Sequence, residues 1–451
     1  VSNGAPQRDS IFGGVLLVAL GALLLLNHFD RSFHFGHLVR TYWPVLIILW
    51  GVAKLVDHLR VRSDGSIRGP FLTGGEAAIL IFVIFVLVIL GMHDWLHTRF
   101  PDIAMHMEPF NHRYSQTQAL APVKIPAGAH VTIQTARGNI TVHPTDSAEL
   151  DVSANMTASG SNEEGADEAM RKIPVRIEQN GNSYSIHPVN QDNSDSQVSA
   201  DLDVSVPKNA SVTATSDRGD ISISGLQGSV FVTAQKGDLD LHDIGGDVMA
   251  DIESGNAQIS DVTGDVHVKG HGTEIEVGDV KGNASLEGDF FGPIHLRNIA
   301  KTTRYVTPRE NFTLTELTGR LELDSDSVQL SDVTGAANLT THNKDIDAEN
   351  IGGKLTIVDT HASVNVRFSD APKQDFGITN ESGDVDVTLP SSANFEIAAV
   401  SRDGDVNSEF SSGSLQTVNQ SGTGHLTGKI GNSGPKITIA TSYGTINVHK
   451  S

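Results

Sequence analysis

The chain has 451 residues, room for two or three domains, and its 44 glycines with only 6% aromatic residues suit a thin, repetitive β-core better than a bulky globular one. It has no cysteine, which excludes a disulfide framework, a thiolate metal site and a cysteine nucleophile. The net charge of −22 is unevenly placed: residues 1–100 hold eight Lys/Arg and six Asp/Glu, leaving 24 basic against 48 acidic residues in 101–451, an acidity that argues against nucleic acid and anionic lipid as partners of that part.

Residues 1–96 read as a membrane domain with spans at about 10–29, 41–56 and 77–94. The first run is free of charge, and residues 11–26 are almost wholly apolar. A signal peptide is the weaker reading, because only Arg8 precedes the run and no small-residue cleavage site closes it. The second run carries Trp43 and Trp50 between Arg40 and Lys54, whose stems can reach the headgroups. The third is the most hydrophobic and ends at Asp94 and Trp95. Arg60, Arg62 and Arg68 in the second loop outnumber Arg31 and Arg40 in the first, which places that loop in the cytoplasm and everything after Trp95 outside a bacterial cytoplasmic membrane.

Residues 97–118 lose periodicity and read as a linker broken by Pro101 and Pro109. An entry motif then occurs three times. Pro126, Pro207 and Pro390 are followed by Ala129, Ala210 and Ala393, then by an Arg (Arg137, Arg218, Arg402) just before a glycine turn. Residues 119–203 are predicted to form an irregular β entry and cap lobe with one helix-like stretch at 161–172, because an open terminal coil would expose unpaired strand edges.

Residues 204–451 carry the organising repeat. From Gly219 to Leu286 a glycine recurs about every nine residues, in two interleaved series that step by 18 with one slip to 17. Gly219, Gly237, Gly255 and Gly272 open units such as Leu239, Leu241 and, after two spacers, Ile244. Gly228, Gly246, Gly264 and Gly282 open shorter units such as Val248 and Ala250. A period of two says strand, and a period of 18 says that equivalent strands stack. The predicted fold class is an α-helical membrane domain of about three spans plus an all-β ectodomain, a parallel β-solenoid with ~18-residue coils. The Asp or Asn after each glycine (Asp220, Asp238, Asp247, Asn256, Asp265, Asn283) is expected to satisfy turn amides. The pattern weakens over residues 288–318 and returns at Gly319, Gly335 and Gly353.

The GGVLLVALGALLLL run from Gly13 and the WPVLIILWG run from Trp43 resemble the LiaI/LiaF-like transmembrane region, and the Gly-Asp-apolar repeats with their Pro-Ala-Arg-Gly entries resemble the bacterial adhesin-type solenoid, also called the toast-rack domain. That resemblance implies sensing or scaffolding at the bacterial envelope beside stress systems, and no catalytic residues. The partners it implies are the lipid bilayer and another membrane protein such as a sensor kinase. A homo-oligomer that polymerises through strand edges, or a glycan-binding adhesive module, is the other class of function.

No phosphate loop, nucleophile elbow or HExxH is present, and the chain reads as a non-enzyme with no cofactor and no catalytic or metal site. His93 and His97, four apart, are more simply interfacial polar residues than a metal pair. The nine-residue spacing lacks the GGxGxDxUx pattern of calcium nonapeptides, and Asp220, Asp238 and Asp240 read as a solvated surface.

Overall fold

The computed structural model describes residues 112–160, 162–191 and 198–451. The three expected spans, His93 and His97 lie outside the described residues. Residues 110–451 form one compact unit. Its strands begin earlier than the expected linker allows, since β1 (His112–Ala119) already pairs antiparallel with β5 (Glu149–Gly160).

The entry region holds β2 (Val123–Lys124), β3 (His130–Thr135), β4 (Ile140–Thr145), helix α1 (Glu163–Arg171), β6 (Val175–Asn180), β7 (Ser183–Pro188) and β8 (Val198–Pro207). The helix starts where Asn162 accepts the Gly165 N–H and ends with Arg171 in its last turn. It docks Ala166 and Met170.

Then come β9 (Ser211–Ser216), β10 (Ile221–Ser224), β11 (Val230–Ala234), β12 (Leu239–Ile244), β13 (Val248–Ile252), β14 (Ala257–Val262), β15 (Val266–Gly270), β16 (Ile275–Val280) and β17 (Ala284–Gly288). Even-numbered strands pair in parallel with even, odd with odd. Leu239 lies beside Ala257 and Val248 beside Val266, a step of 18 residues. The result is two ladders that share one apolar core, into which Ile221, Ile223, Leu241, Val230 and Val248 point, all at most 1% exposed. The even strands belong to the first ladder and the odd ones to the second.

Two long strands break this order. β18 (Ile294–Val306) runs through both ladders, and β19 (Asn311–Leu323) returns antiparallel beside it. β19 is in turn antiparallel to β20 (Ser327–Val333) in the first ladder and β21 (Ala337–Thr340) in the second. One coil therefore runs backwards. Parallel stacking resumes through β22 (Asp345–Ile351), β23 (Leu355–His361), β24 (Val364–Arg367), β25 (Phe376–Ser382) and β26 (Val385–Leu389).

The far end is β27 (Phe395–Asp403), β28 (Val406–Ser408), β29 (Leu415–Gln420), β30 (Thr423–Ile430), β31 (Lys436–Tyr443) and β32 (Ile446–Lys450). Here spatial order departs from chain order. β31 lies between β25 and β27, and β32 between β26 and β28. The antiparallel pairs β27–β30 and β29–β30 close this end as β6–β7 and β1–β5 close the other.

The predicted fold class is thus corrected. Among the described residues the only helix has nine residues, and none is long and apolar enough to cross a membrane. The β region is not a uniform parallel solenoid either: a reversed coil interrupts it and antiparallel pairs seal it, because a finite stack must cover its terminal edges.

Candidate functional site

The aspartates after the coil glycines have a definite task. Each accepts the backbone N–H of the equivalent residue one coil further on: Asp220 from Asp238 (2.8 Å), Asp238 from Asn256 (2.9 Å), Asp247 from Asp265 (2.9 Å) and Asp265 from Asn283 (2.8 Å). These charge-assisted bonds bridge coils across the corner. The hydrogen bonds pull the Asp265 carboxyl below its ordinary range, the Asn283 N–H first among them. Asp240 instead faces outward beside His242, 3.6 Å away. Among the described residues, no group of three or more His, Asp or Glu is arranged to hold a metal ion.

The reversed coil creates the cleft. Ordinary coils close on one side with a turn from the second ladder to the first. At β18–β19–β20 two hairpins stand there instead, closed by Thr307 N–H to Glu310 C=O and Asp324 N–H to Ser327 C=O. Between them opens a cleft of about 370 Å³, walled by Phe290, Tyr305, Glu310, Asp324, His342 and Lys344. Tyr305 stacks obliquely on Phe312 (5.6 Å) and faces Phe290 (6.5 Å), so the floor is aromatic. Burial, and then the nearby Glu310 carboxylate, push the Tyr305 phenol well above its ordinary value. Glu310 also pairs with Lys344 at 3.5 Å, both side chains less than 15% exposed, and Lys344 Nζ donates to the Asp324 carbonyl. Phe291, 79% exposed, stands at the mouth. Aromatic walls with a few fixed polar groups describe a binding cleft.

Behind it lies a column of buried polar side chains at the third inward position of the second ladder: Thr341, Asp359, Asn380, Thr441 and Ser401. Most bond to the carbonyls of neighbouring corners, as Ser401 Oγ does to Gly444 (2.7 Å) and Asn380 Nδ2 to Ala362 (2.7 Å). Thr341 Oγ1 has no such partner, and Asp359 carries the larger cost. It is 3% exposed and neither of its oxygens has a well-aligned hydrogen bond. Burial raises its pKa, against the pull of the nearby Thr360 and Ala362 N–H groups and of His342 and His361, whose rings meet edge-on at 5.5 Å. On the first ladder's outer face, His449 bridges Glu409 (3.3 Å) and Asp386 (3.2 Å), and the Glu409 bond leads in raising its pKa.

The two outer faces differ. Past the reversed coil the first ladder presents Arg320, Glu322, Asp347, Glu349, Arg367 and Asp386 outward. The second presents mainly Thr, Asn, Ala and Val along its central rows, with charge confined to the margins. Of the six exposed large apolar side chains among the described residues, Phe231, Met249, Val358 and Val418 all lie on this second face. Sequence reasoning misses the cleft and the buried column. The only signal was the loss of glycine punctuation over residues 288–318, which marks the long strands.

Residues 11–55 match the model of the LiaI-LiaF-like transmembrane region, which spans the first two apolar runs. No curated protein matches the chain. Similar solved structures include a candidate cell-adhesion protein from Clostridium sporogenes ATCC 15579 (10% identity, 75% of this chain and 100% of that one, TM-score 0.19). A candidate adhesin from Bacteroides fragilis NCTC 9343 is 10% identical over 74% of this chain and 97% of its own, with a TM-score of 0.22. A candidate lipid-binding protein from Parabacteroides distasonis ATCC 8503 is 10% identical over 74% and 96%, with a TM-score of 0.18. Likenesses this remote carry no functional argument. The family model Toastrack DUF4097 matches residues 129–449, the stretch that holds the coils, the reversed strand and all of the closing strands but β1, and the chain belongs to that family.

Proposed function

We propose that the protein is a membrane-anchored component of the bacterial envelope whose amino-terminal region sits in the cytoplasmic membrane and whose β-body stands on the extracytoplasmic side, sensing or scaffolding in envelope stress. The observation that carries this reading is the match of residues 11–55 to a LiaI-LiaF-like transmembrane region ahead of the toast-rack domain in one chain. The strong acidity and cysteine-free composition of the body suit a compartment outside the cytoplasm and a surface that repels anionic lipid. In this reading the membrane region contacts a second membrane protein such as a sensor kinase, and the cleft beside Tyr305 receives the envelope ligand. An adhesive or self-assembling role is the second reading, favoured by the four exposed apolar side chains gathered on one face.

Placement is tested with Gln258→Cys, an exposed outward position on β14 in a chain without cysteine. A membrane-impermeant maleimide should label it in intact spheroplasts; labelling only after permeabilisation would put the body in the cytoplasm and end the proposal. Crosslinking from the membrane region should then enrich a second membrane protein over the bare bilayer background.

A further inference from the structure

The second ladder's outer face changes character at β19. From β19 through β21, β23, β25, β31, β27 and β30 to β29, the two central rows of outward positions hold no Asp, Glu, Lys or Arg, and charge returns only at the margins, with Glu381 of β25 and Arg402 of β27 along one of them. One row reads Thr340, Val358, Thr379, Ala440, Val400 and, beyond His425, Val418. The same coils are densely charged on the opposite face, so neutrality is a property of this strip and not of the repeat. Along one margin the next outward position is charged on five adjacent strands, in the order Lys354, Asp375, Lys436, Glu396, Lys429. All five are exposed, and the signs alternate strand by strand.

We propose that this strip is the contact surface between two copies of the chain, packed face to face about a two-fold axis that runs along the strands between β25 and β31. Such an axis lays β25 of one copy over β31 of the other and β23 over β27. The margins then meet with opposite signs: Asp375 against the partner's Lys436, and Lys354 against the partner's Glu396. A self-complementary alternation of this kind is what an isologous interface requires.

Net charge selects the same face. Two bodies this acidic repel each other, and approach through the first ladder would desolvate Glu349, Asp386 and their neighbours, whereas the central rows of the strip lose water chiefly from Thr, Asn, Ala and Val, with Gln416 and His425 at one end. Eight strands make a strip about 34 Å long, and with its margin it covers roughly 400 Å² per copy. That lies below the ~800 Å² per partner of stable dimers, so the contact forms between chains already concentrated side by side in a membrane. The inference about which face meets does not depend on the side of the membrane on which the body stands.

Full-length chain in native membranes provides the test, because it contains no cysteine. Thr379→Cys on β25 sits half a strand spacing, about 2.4 Å, to the side of the axis, and a short bis-maleimide spans the ~10 Å between packed sheets. It should give a dimer band, as should Thr438→Cys on β31, while Asn365→Cys on the opposite face gives none. Lys354→Glu should cut the Thr379→Cys yield by about fivefold through like-charge juxtaposition, and adding Glu396→Lys should restore it. Absence of the band from both reporters, equal crosslinking through Asn365→Cys, or a charge reversal that the second reversal fails to rescue would each overturn the proposal. So would a band that appears only when envelope glycan is added, since the strip would then hold polymer and not a second copy.

Discussion

Asp261 has φ +57°, and so, within a few degrees, do Asp243, Asp279, Asn298, Glu316, Asp332 and Asn350. Each is the second of the two spacers before a third inward residue, as Asp261 precedes Val262. A left-handed residue there turns the strand so that Val262 points inward again. Asp and Asn tolerate that conformation better than other side chains. Asp261→Val should therefore lower unfolding free energy by about 1–2 kcal/mol, whereas Asp261→Gly stays within error; equal melting temperatures for the two would contradict this account. The spacers are visible in sequence, but their handedness is not, since only backbone geometry distinguishes an irregular step from a bulge. The inward set is fully visible: Ile223 and Leu241 alternate with polar residues and are 0% exposed. Ile223→Asp should cost on the order of 4 kcal/mol or more by burying an unpaired charge, and Ser222→Asp on the outer face should leave protease resistance unchanged. Asp238→Ala removes the acceptor for Asn256 N–H and should cost about 1 kcal/mol in denaturant unfolding. His449 supplies a pH signature. Its folded pKa lies above the unfolded value near 6.5, so its stabilisation is complete below pH 6.5 and disappears as pH rises through the folded pKa. Glu409, shifted down from 4.5 chiefly by the Lys450 N–H, sets the lower bound. The melting-temperature gap between wild type and His449→Gln should be widest near pH 6 and close by pH 9; a gap independent of pH would mean that the pair contributes through packing alone.

At the scale of elements, the coils of β9 to β17 are legible because each needs a corner that no other residue can take. Gly237 has φ +146°, and a Cβ there would stand 2.3 Å from the Gly219 carbonyl oxygen. Gly237→Ala should break the corner and be detected as new protease cleavage near residue 237, while Gly377→Ala, with open space around it, should not. Reversal of β19 is illegible for a different reason. Period-two alternation is the same read in either direction, and the residues that distinguish parallel from antiparallel pairing are partners some twenty positions away. Tyr305, Glu310 and Lys344 therefore come together without any local motif to announce them. The entry region is misread for a related cause: its strands β3 and β4 obey the ladder, but β5 and α1 intervene before their partners β9 and β10 arrive.

Across the whole β-body, the position of β31 and β32 changes how the stack can be completed. These strands follow β27 to β30 in the chain yet lie beneath them in space, with Asp375 and Asp384 capping the N–H groups of Lys436 and Thr445 across 61 residues. A chain emerging amino-terminus first can add the early coils one upon another as they appear, each on a template already in place. The far seal cannot be laid in that order. β27 and β28 cannot join the stack below them until residues 436–450 have threaded in between, so the closing pairs β27–β30 and β29–β30 either wait apart from it or dock and lift away again. Assembly is thus processive for most of its course and ends in a single non-local step, the slowest kind because the loop must close before any contact rewards it. Until that moment β25 and β26 keep open edges, and a partly made chain advertises itself to proteases and to other chains in a way the finished one does not.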